Sequence, residues 1–323
     1  MRDETAVGLH DGAPTGCAVM ITEPAPMWHQ PVMTAEVLRL LNPRPGAVIV
    51  DGTVGTGGHS LAILPHLLPD GTLLAIDRDR GSLELAKRRL AEFEPRVLFR
   101  HGNVRDLPAI LRDEHLTGVD GLLLDLGMSS LQVDQPERGF SFSKEGPLDM
   151  RMDPEQGETA EDLVNRAGAD ELQRLFTELG EERYARRIAG RIVQERRRQP
   201  IGTTTRLAQV VSDAVPSRAR YGRLHPATRV FQALRMAVND ELGSLRNVLV
   251  ALPDLLAPGG RAVIVAFHSL EDRLVKRAFV EGAREQRWTL LAKKPLTPSD
   301  EEVARNPRAR SAKLRAIERS AES

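Results

Sequence analysis

Asp51 opens a stretch that reads Gly52-Thr-Val-Gly55-Thr-Gly57-Gly58-His59-Ser60, and two further acids, Asp77 and Asp125, each close a short apolar run. Glycines between a strand and a helix let backbone N–H groups and a helix N-terminus come close to a ligand. Three nucleotide chemistries compete for such a loop. A phosphate-binding P-loop needs Gly-Lys-Ser/Thr at its end, and this loop ends Gly58-His59-Ser60, which disfavours an ATPase. A dinucleotide site fits Gly55 and Gly57, but Ser60 stands where the third glycine belongs. The third ligand is S-adenosylmethionine, which has a ribose, an ammonium and a sulfonium but no phosphate. Asp77, 20 residues beyond Gly57, can accept hydrogen bonds from both ribose hydroxyls. The acidic lining from Asp51, Asp77 and Asp125 suits this cation better than a pyrophosphate, with a dehydrogenase or a plain tight turn as the alternatives.

These residues need a scaffold that holds strand ends together. Residues 47–50 form a β-prone run into the loop, and Leu61, Ile63, Leu64 and Leu67 mark a helix behind it. Residues 72–76 and 97–99 read as further strands, separated by a helix at 83–90. Residues 121–124 are apolar without alternation, as in a strand buried on both faces. This rhythm predicts an open parallel α/β sheet.

It breaks between 136 and 227, where only helical patterns occur, such as 170–179 and 182–197. In the latter, Tyr184, Ile188 and Ile192 form an apolar stripe under a basic face. Residues 227–252 read as one long helix, 258–260 as a turn, 261–267 as a late strand, 271–280 as a helix and 288–292 as a possible edge strand. The expected organisation is a tail at 1–25, a first core segment at 26–135, an inserted helical domain at 136–226 and a second core segment with a basic end at 227–323.

The 323 residues, 41% hydrophobic, suffice for one large or two modest domains. With 28% charged residues and no apolar run near 18, no membrane-spanning helix is expected. Residues 1–20 lack a signal-peptide core, so the cytoplasm is the default. Cys17 is the only cysteine, which excludes an internal disulfide and a Cys-rich zinc module. His29, His59, His225 and His268 make no local metal motif, and no metal is assigned.

The 45 basic and 45 acidic residues cancel but are unevenly spread. Arg183, Arg186, Arg187, Arg191, Arg196, Arg197 and Arg198 crowd a stretch whose only acid is Glu195. Arg308, Arg310, Lys313 and Arg315 form a second basic segment. Either could neutralise nucleic-acid phosphates; a solvated arginine face is the alternative for the first.

The chain resembles the ribosomal RNA small subunit methyltransferase H family. The resemblance rests on His29-Gln-Pro-Val-Met, Asp51 through Ser60, Ala75-Ile-Asp-Arg-Asp, Asp125-Leu-Gly-Met-Ser-Ser-Leu-Gln and Glu137-Arg-Gly-Phe-Ser-Phe. It continues through Gly146-Pro-Leu-Asp-Met-Arg-Met-Asp, His225-Pro-Ala-Thr-Arg, Phe231-Gln-Ala-Leu-Arg, Phe267-His-Ser-Leu-Glu-Asp-Arg and Asn306-Pro-Arg-Ala-Arg-Ser-Ala. It implies a Rossmann-like class I S-adenosylmethionine-dependent methyltransferase core with an inserted helical domain. It further implies methylation of N4 of cytidine 1402 in 16S rRNA, within the small ribosomal subunit or a late assembly intermediate. The oligomeric state is left open. Carried over by position, the cofactor site is Gly57, Gly58, His59, Asp77, Val104, Asp125 and Gln132. Val104 departs from the family, which usually has Phe beside the adenine.

An exocyclic amine can attack a sulfonium methyl directly if its lone pair is aligned and its proton accepted. Carbon methylation of cytosine usually needs a cysteine, and Cys17 falls in the expected tail. Asp125 is the first candidate for the chemistry, with Ser129, Ser130 and His268 as polar contacts to the base; a structural cap is the competing role for His268. The pattern Asp125-Leu-Gly-Met lacks the Pro-Pro-aromatic clamp that follows the acid in many amino methyltransferases. Arg187, Arg191, Arg308, Arg310, Lys313 and Arg315 are the candidate RNA contacts.

Overall fold

The computed structural model describes residues 30–220 and 224–321. The expectations for the 1–25 tail, His29 and Cys17 lie outside the described residues. In chain order the elements are α1 (Thr34–Leu41), β1 (Val48–Asp51), α2 (Gly58–Ile63), β2 (Thr72–Asp77), α3 (Arg80–Arg89), β3 (Val97–His101), α4 (Leu107–Asp113), β4 (Val119–Asp125) and α5 (Ser130–Asp134). Then come α6 (Ala160–Arg166), α7 (Ala169–Glu178), α8 (Ala185–Arg196), α9 (Thr204–Ala214), α10 (Ser217–Arg220) and α11 (Thr228–Asn239). The chain finishes with α12 (Glu241–Leu255), β5 (Leu256–Ala266), α13 (Ser269–Arg284), β6 (Trp288–Leu290), α14 (Asp300–Arg305) and β7 (Lys313–Arg319).

The strands form one sheet in the order β3-β2-β1-β4-β5-β7-β6. The first five are parallel, and β7 runs antiparallel to both of its neighbours. Alternate residues feed two cores, as the two-residue period of a strand requires. Leu73, Ala75, Leu123, Val263 and Val265 pack with α1, α2 and α3 on one face. Leu74, Ile76, Leu122, Leu124 and Ile264 pack with α4, α12 and α13 on the other. Gly121 through Leu124 are all buried, as their unbroken apolar run predicts.

A third core belongs to the helices between β4 and β5. Phe176, Ile188, Ile192, Leu207 and Val211 pack there together with Val230, Phe231 and Leu234 of α11. The packing therefore carries the helical unit one helix past residue 226, to the end of α11. The expected single helix over 227–252 is two helices, broken at Asp240, whose φ of 45° is left-handed. Buried Asn239 causes the break. Its amide donates to Met150 O at 2.7 Å and Arg235 O at 2.8 Å, and its oxygen accepts from Met152 N–H at 2.8 Å. The helix end is thus tied to the 150–152 segment, and an aspartate tolerates the left-handed turn better than most residues.

The turn expected at 258–260 lies within β5. Val119 pairs with Leu256 and Gly121 with Arg261, so β5 carries extra residues opposite β4, a bulge built on Gly259 at φ 76°. The basic segment at 313–315 belongs to a strand, β7, inserted between β5 and the edge strand β6.

Candidate active site

The sheet order reverses between β1 and β4, and loops at the carboxyl ends of these strands open a crevice there. It holds a cavity of 490 Å³ lined by residues including Gly52, Gly55, His59, Asp77, Val104 and Asp125. The volume falls in the range of small-molecule sites, about 300–1,000 Å³. Asp51 anchors the glycine loop from beneath. It is buried and accepts from Ser60 Oγ at 2.7 Å and Thr53 N–H at 3.2 Å. This explains Ser60 at the third-glycine position: its hydroxyl fastens α2 to the end of β1. Burial pushes the Asp51 carboxyl up.

Gly57 differs from its expected role. Its φ of 81° caps α2, and a Cβ there would sit 3.3 Å from Leu90, so it turns the loop against α3 while Gly55 and Gly58 line the cavity. Gly55 donates its N–H to Asp77 Oδ2 at 2.8 Å, and Asp79 N–H donates to Asp77 Oδ1 at 2.8 Å. Each Asp77 oxygen keeps acceptor capacity for a ribose hydroxyl. Burial lifts the Asp77 carboxyl to about 6, against the pull of those two N–H groups.

Gln132 lines the cavity, yet its amide is already engaged. Nε2 donates to Asp79 Oδ2 at 2.9 Å, and Oε1 accepts from Ser129 N–H at 3.0 Å. Ser129 Oγ returns the contact by accepting from Gln132 N–H, a capping box that starts α5. Asp79 Oδ2 also accepts from Arg138 Nη1 at 2.9 Å, and Arg138 donates to the carbonyls of Arg151 and Met152. An ion pair between buried Asp79 and half-buried Arg138 thus joins the end of β2 to the segment entering the helical unit.

His59 and Asp125 face each other at 3.5 Å between Nε2 and Oδ2. Both ring nitrogens of His59 and Oδ1 of Asp125 are buried without a hydrogen-bond partner among the described residues. Burial opposes the imidazolium, but the Asp125 carboxylate, helped by Asp51 and Glu302, outweighs it, and the His59 pKa rises. The Asp125 backbone is fixed by its N–H donating to Thr53 Oγ1 at 2.7 Å.

The other expected residues divide. Val104 lines the cavity and packs against the cluster containing Leu245. Ser130 lines it too, with its hydroxyl accepting from Arg308, whose other nitrogen donates to Asp134 Oδ1 at 2.8 Å. His268 is the N-cap of α13: Nδ1 accepts from Glu271 N–H, while Glu271 accepts from the N–H groups of Phe267 and His268. Phe267 and Glu271 line the cavity in its place.

Lys313 and Arg315 both pair with Asp272, at 3.2 Å and 2.7 Å. Arg191 pairs with Glu195 at 3.2 Å. Arg187 and Arg310 are exposed and have no ion pair among the described residues.

Sequence reasoning missed Asn103, Met128, Arg235, Glu241 and Ser244 in the cavity wall. Arg235 and Glu241 form a bidentate pair at 2.7 and 2.8 Å, six residues apart across the unforeseen helix break. Glu241, His268 and Glu271 bring ligand atoms within 4.8 Å of one another. Arg235 and the backbone N–H groups already engage the two carboxylates.

The donor set fits S-adenosylmethionine. Asp77 offers acceptors for a ribose diol, Asp125 an unpartnered carboxylate oxygen for a cationic end, and Val104 and Leu245 an apolar wall. A Cβ on Gly52 would lie 2.6 Å from Leu124 and 3.0 Å from Val104, so the loop hugs the cavity floor as only glycine permits. The fold and this site define a Rossmann-like class I methyltransferase core with inserted helices. The model of the MraW methylase family matches residues 26–320, and the chain belongs to that family. The chain is 53% identical over 306 residues to the ribosomal RNA small subunit methyltransferase H of Syntrophotalea carbinolica, covering 90% of this chain and 98% of that protein. Its identity to the protein of the same name from Geobacter sulfurreducens is 50%, over 90% of this chain and 98% of that one. With the Synechococcus sp. protein of that name it is 52%, over 91% and 92%. The chain is accordingly a methyltransferase. No helix among the described residues is long and apolar enough to cross a membrane.

Proposed function

We propose that this chain methylates N4 of cytidine 1402 in 16S rRNA, using S-adenosylmethionine, on the small ribosomal subunit or a late assembly intermediate in the cytoplasm. The observation that carries this reading is the Asp125 carboxylate at the cavity wall: Thr53 Oγ1 accepts from its backbone N–H, one carboxylate oxygen has no hydrogen-bond partner among the described residues, and the other faces His59. Its support in kind is the identity of about half the residues to relatives named for small-subunit rRNA methylation.

When bound, S-adenosylmethionine supplies an electrophilic methyl group on a sulfonium. Asp77 binds the ribose hydroxyls, Gly55, Gly58 and His59 approach the methionine portion, and Val104 flanks the adenine. Asp125 accepts a hydrogen bond from the cytosine amine, which draws its lone pair out of the ring, and takes up the proton released on transfer. His59 stands beside that carboxylate, 3.5 Å from Oδ2. Gln132 and Ser129 hold the segment from Asp125 to α5 in place through Asp79. Ser130 contacts the base from the cavity rim, and His268 acts through the capped start of α13.

Residues 26–135 and 240–323 serve as the methyltransferase core, and 136–226 together with α11, which packs with them, serve as the RNA-side helical domain. Arg187 and Arg310, exposed and without an ion pair among the described residues, are the leading phosphate contacts. Arg191, Arg308, Lys313 and Arg315 reach RNA only by leaving or sharing their carboxylates.

The test is incubation of the protein and labelled S-adenosylmethionine with small subunits lacking their native modifications, followed by mapping of the label. Label at the decoding-region cytidine supports the proposal, and label elsewhere points to another RNA or amine target.

A further inference from the structure

Part of the cavity wall is not assigned to the cofactor: Gly127, Met128, Phe267 and Arg308 line the same cavity as Asp77 and Asp125. Met128 is 39% exposed and is one of four large apolar residues left open to solvent among the described residues. A single exposed apolar side chain is common on a protein surface; Met128 differs in that it also lines the cavity.

The backbone presents this side chain rigidly. Leu126 N–H donates to Val265 O at 3.0 Å, which continues the β4 and β5 ladder past Asp125. Ser129 is fixed by its capping box with Gln132, itself held by Asp79. Only Gly127 and Met128 lie between these fixed points. Gly127 adopts φ 100°, and a Cβ on it would be 3.7 Å from the Phe267 ring, so the turn runs alongside that ring. Phe267 packs one side against the core cluster and offers the rest to the cavity. Its backbone is held by its N–H donating to Glu271 Oε2 at 2.9 Å.

We infer that Met128 and Phe267 form the slot that grips the target base, doing the work of the missing Pro-Pro-aromatic clamp. The inference rests on the proposed transfer to a cytosine amine, since Asp125 stands three residues before Met128 and can meet the amine of a base held there. A flipped base loses its stacking neighbours, and a thioether and a ring replace them. The long, flexible Met128 side chain closes over the base from the solvent side while Phe267 backs it from the core.

The experiment compares wild type, Met128→Ala and Met128→Phe, all at an exposed position, on unmodified small subunits at saturating S-adenosylmethionine. Sulfur–aromatic contacts of this kind correspond to about 2- to 12-fold in an equilibrium. M128A should lose that factor in kcat/KM for RNA with cofactor affinity unchanged, and M128F should return to within about twofold of wild type. A fluorescent cytidine analogue at the target position of an RNA fragment should be brighter bound to M128A than to wild type, because the base is extruded but no longer stacked. Equal kcat/KM for M128A and wild type, or M128F no better than M128A, would overturn the slot. Either result with N4-methylcytidine still formed leaves the proposed reaction standing; a wild-type enzyme that makes none fails at the reaction instead.

Discussion

His59 Nε2 lies 3.5 Å from Asp125 Oδ2 inside the wall of the cavity, and neither ring nitrogen of His59 has another partner among the described residues. This places a buried imidazole, whose pKa Asp125 raises, beside the carboxylate proposed to meet the amine. Because the His59 pKa is raised in the folded protein, its stabilisation is fully present below the unfolded value near 6.5 and is lost as pH rises through the folded value. Urea unfolding across pH 6 to 9 should show this loss in wild type and a flatter profile in His59→Gln. In Asp125→Asn, the His59 resonance should titrate at lower pH by NMR. An unshifted titration would mean that Asp125 is not the group holding the proton on His59.

Asp125→Asn should also impair turnover more than folding. It keeps the size of the side chain and its backbone bond to Thr53 but removes the negative charge. Turnover at saturating cofactor and RNA should fall by roughly 10²- to 10⁴-fold, the usual range for a lost acid or base. Wild-type turnover in a folded D125N protein would remove Asp125 from proton transfer.

Cofactor affinity should depend on the charge of Asp77. With its carboxyl at about 6, S-adenosylmethionine should bind more weakly as pH falls through that value. The sign is opposite for the unliganded protein: a raised carboxyl favours the protonated fold, so its stability falls as pH rises from about 4, the unfolded value, toward 6. Calorimetric titrations at pH 5 and 7.5 test the first effect. Asp77→Ala should cost about 1.5–3 kcal/mol of binding and abolish the pH dependence.

Arg138→Ala should destabilise the protein by about 3–5 kcal/mol, because it leaves Asp79 as a buried charge without its ion partner. Denaturant unfolding gives the number. A loss under 1 kcal/mol would mean that water replaces the guanidinium.

For RNA, Arg310→Gln and Arg187→Gln should each reduce the slope of log affinity against log salt by about one, since each exposed arginine releases about one counterion. Arg308→Gln should change the slope less, because Asp134 already shares its charge. Filter binding over a salt series separates the three.

The parallel sheet, the glycine loop and the acids at strand ends were legible in the sequence because each is local: an apolar run, a glycine cluster, one acid after each strand. The helix break at Asp240 was not, because it depends on Asn239 reaching residues 150–152, nearly 90 positions away. Strand β7 was hidden for a related reason. Its Lys313 and Arg315 read as nucleic-acid charge until Asp272, on α13, is brought beside them. His268 and Gln132 show the same limit at the site, since residue type suggests chemistry while their hydrogen bonds show helix caps. Met128 carried a signal, an apolar residue where a clamp ring was expected, but its exposure at the cavity mouth needed the fold.

The central claim is the atom that receives the methyl group. Small subunits lacking native modifications, treated with the protein and S-adenosylmethionine, should yield N4-methylcytidine on nuclease digestion and mass spectrometry, resolved from its isomers by chromatographic standards. Cys17→Ala and removal of residues 1–25 should leave that product unchanged. A product methylated only at C5, or loss of activity in Cys17→Ala with folding and cofactor binding intact, would contradict direct transfer to the amine.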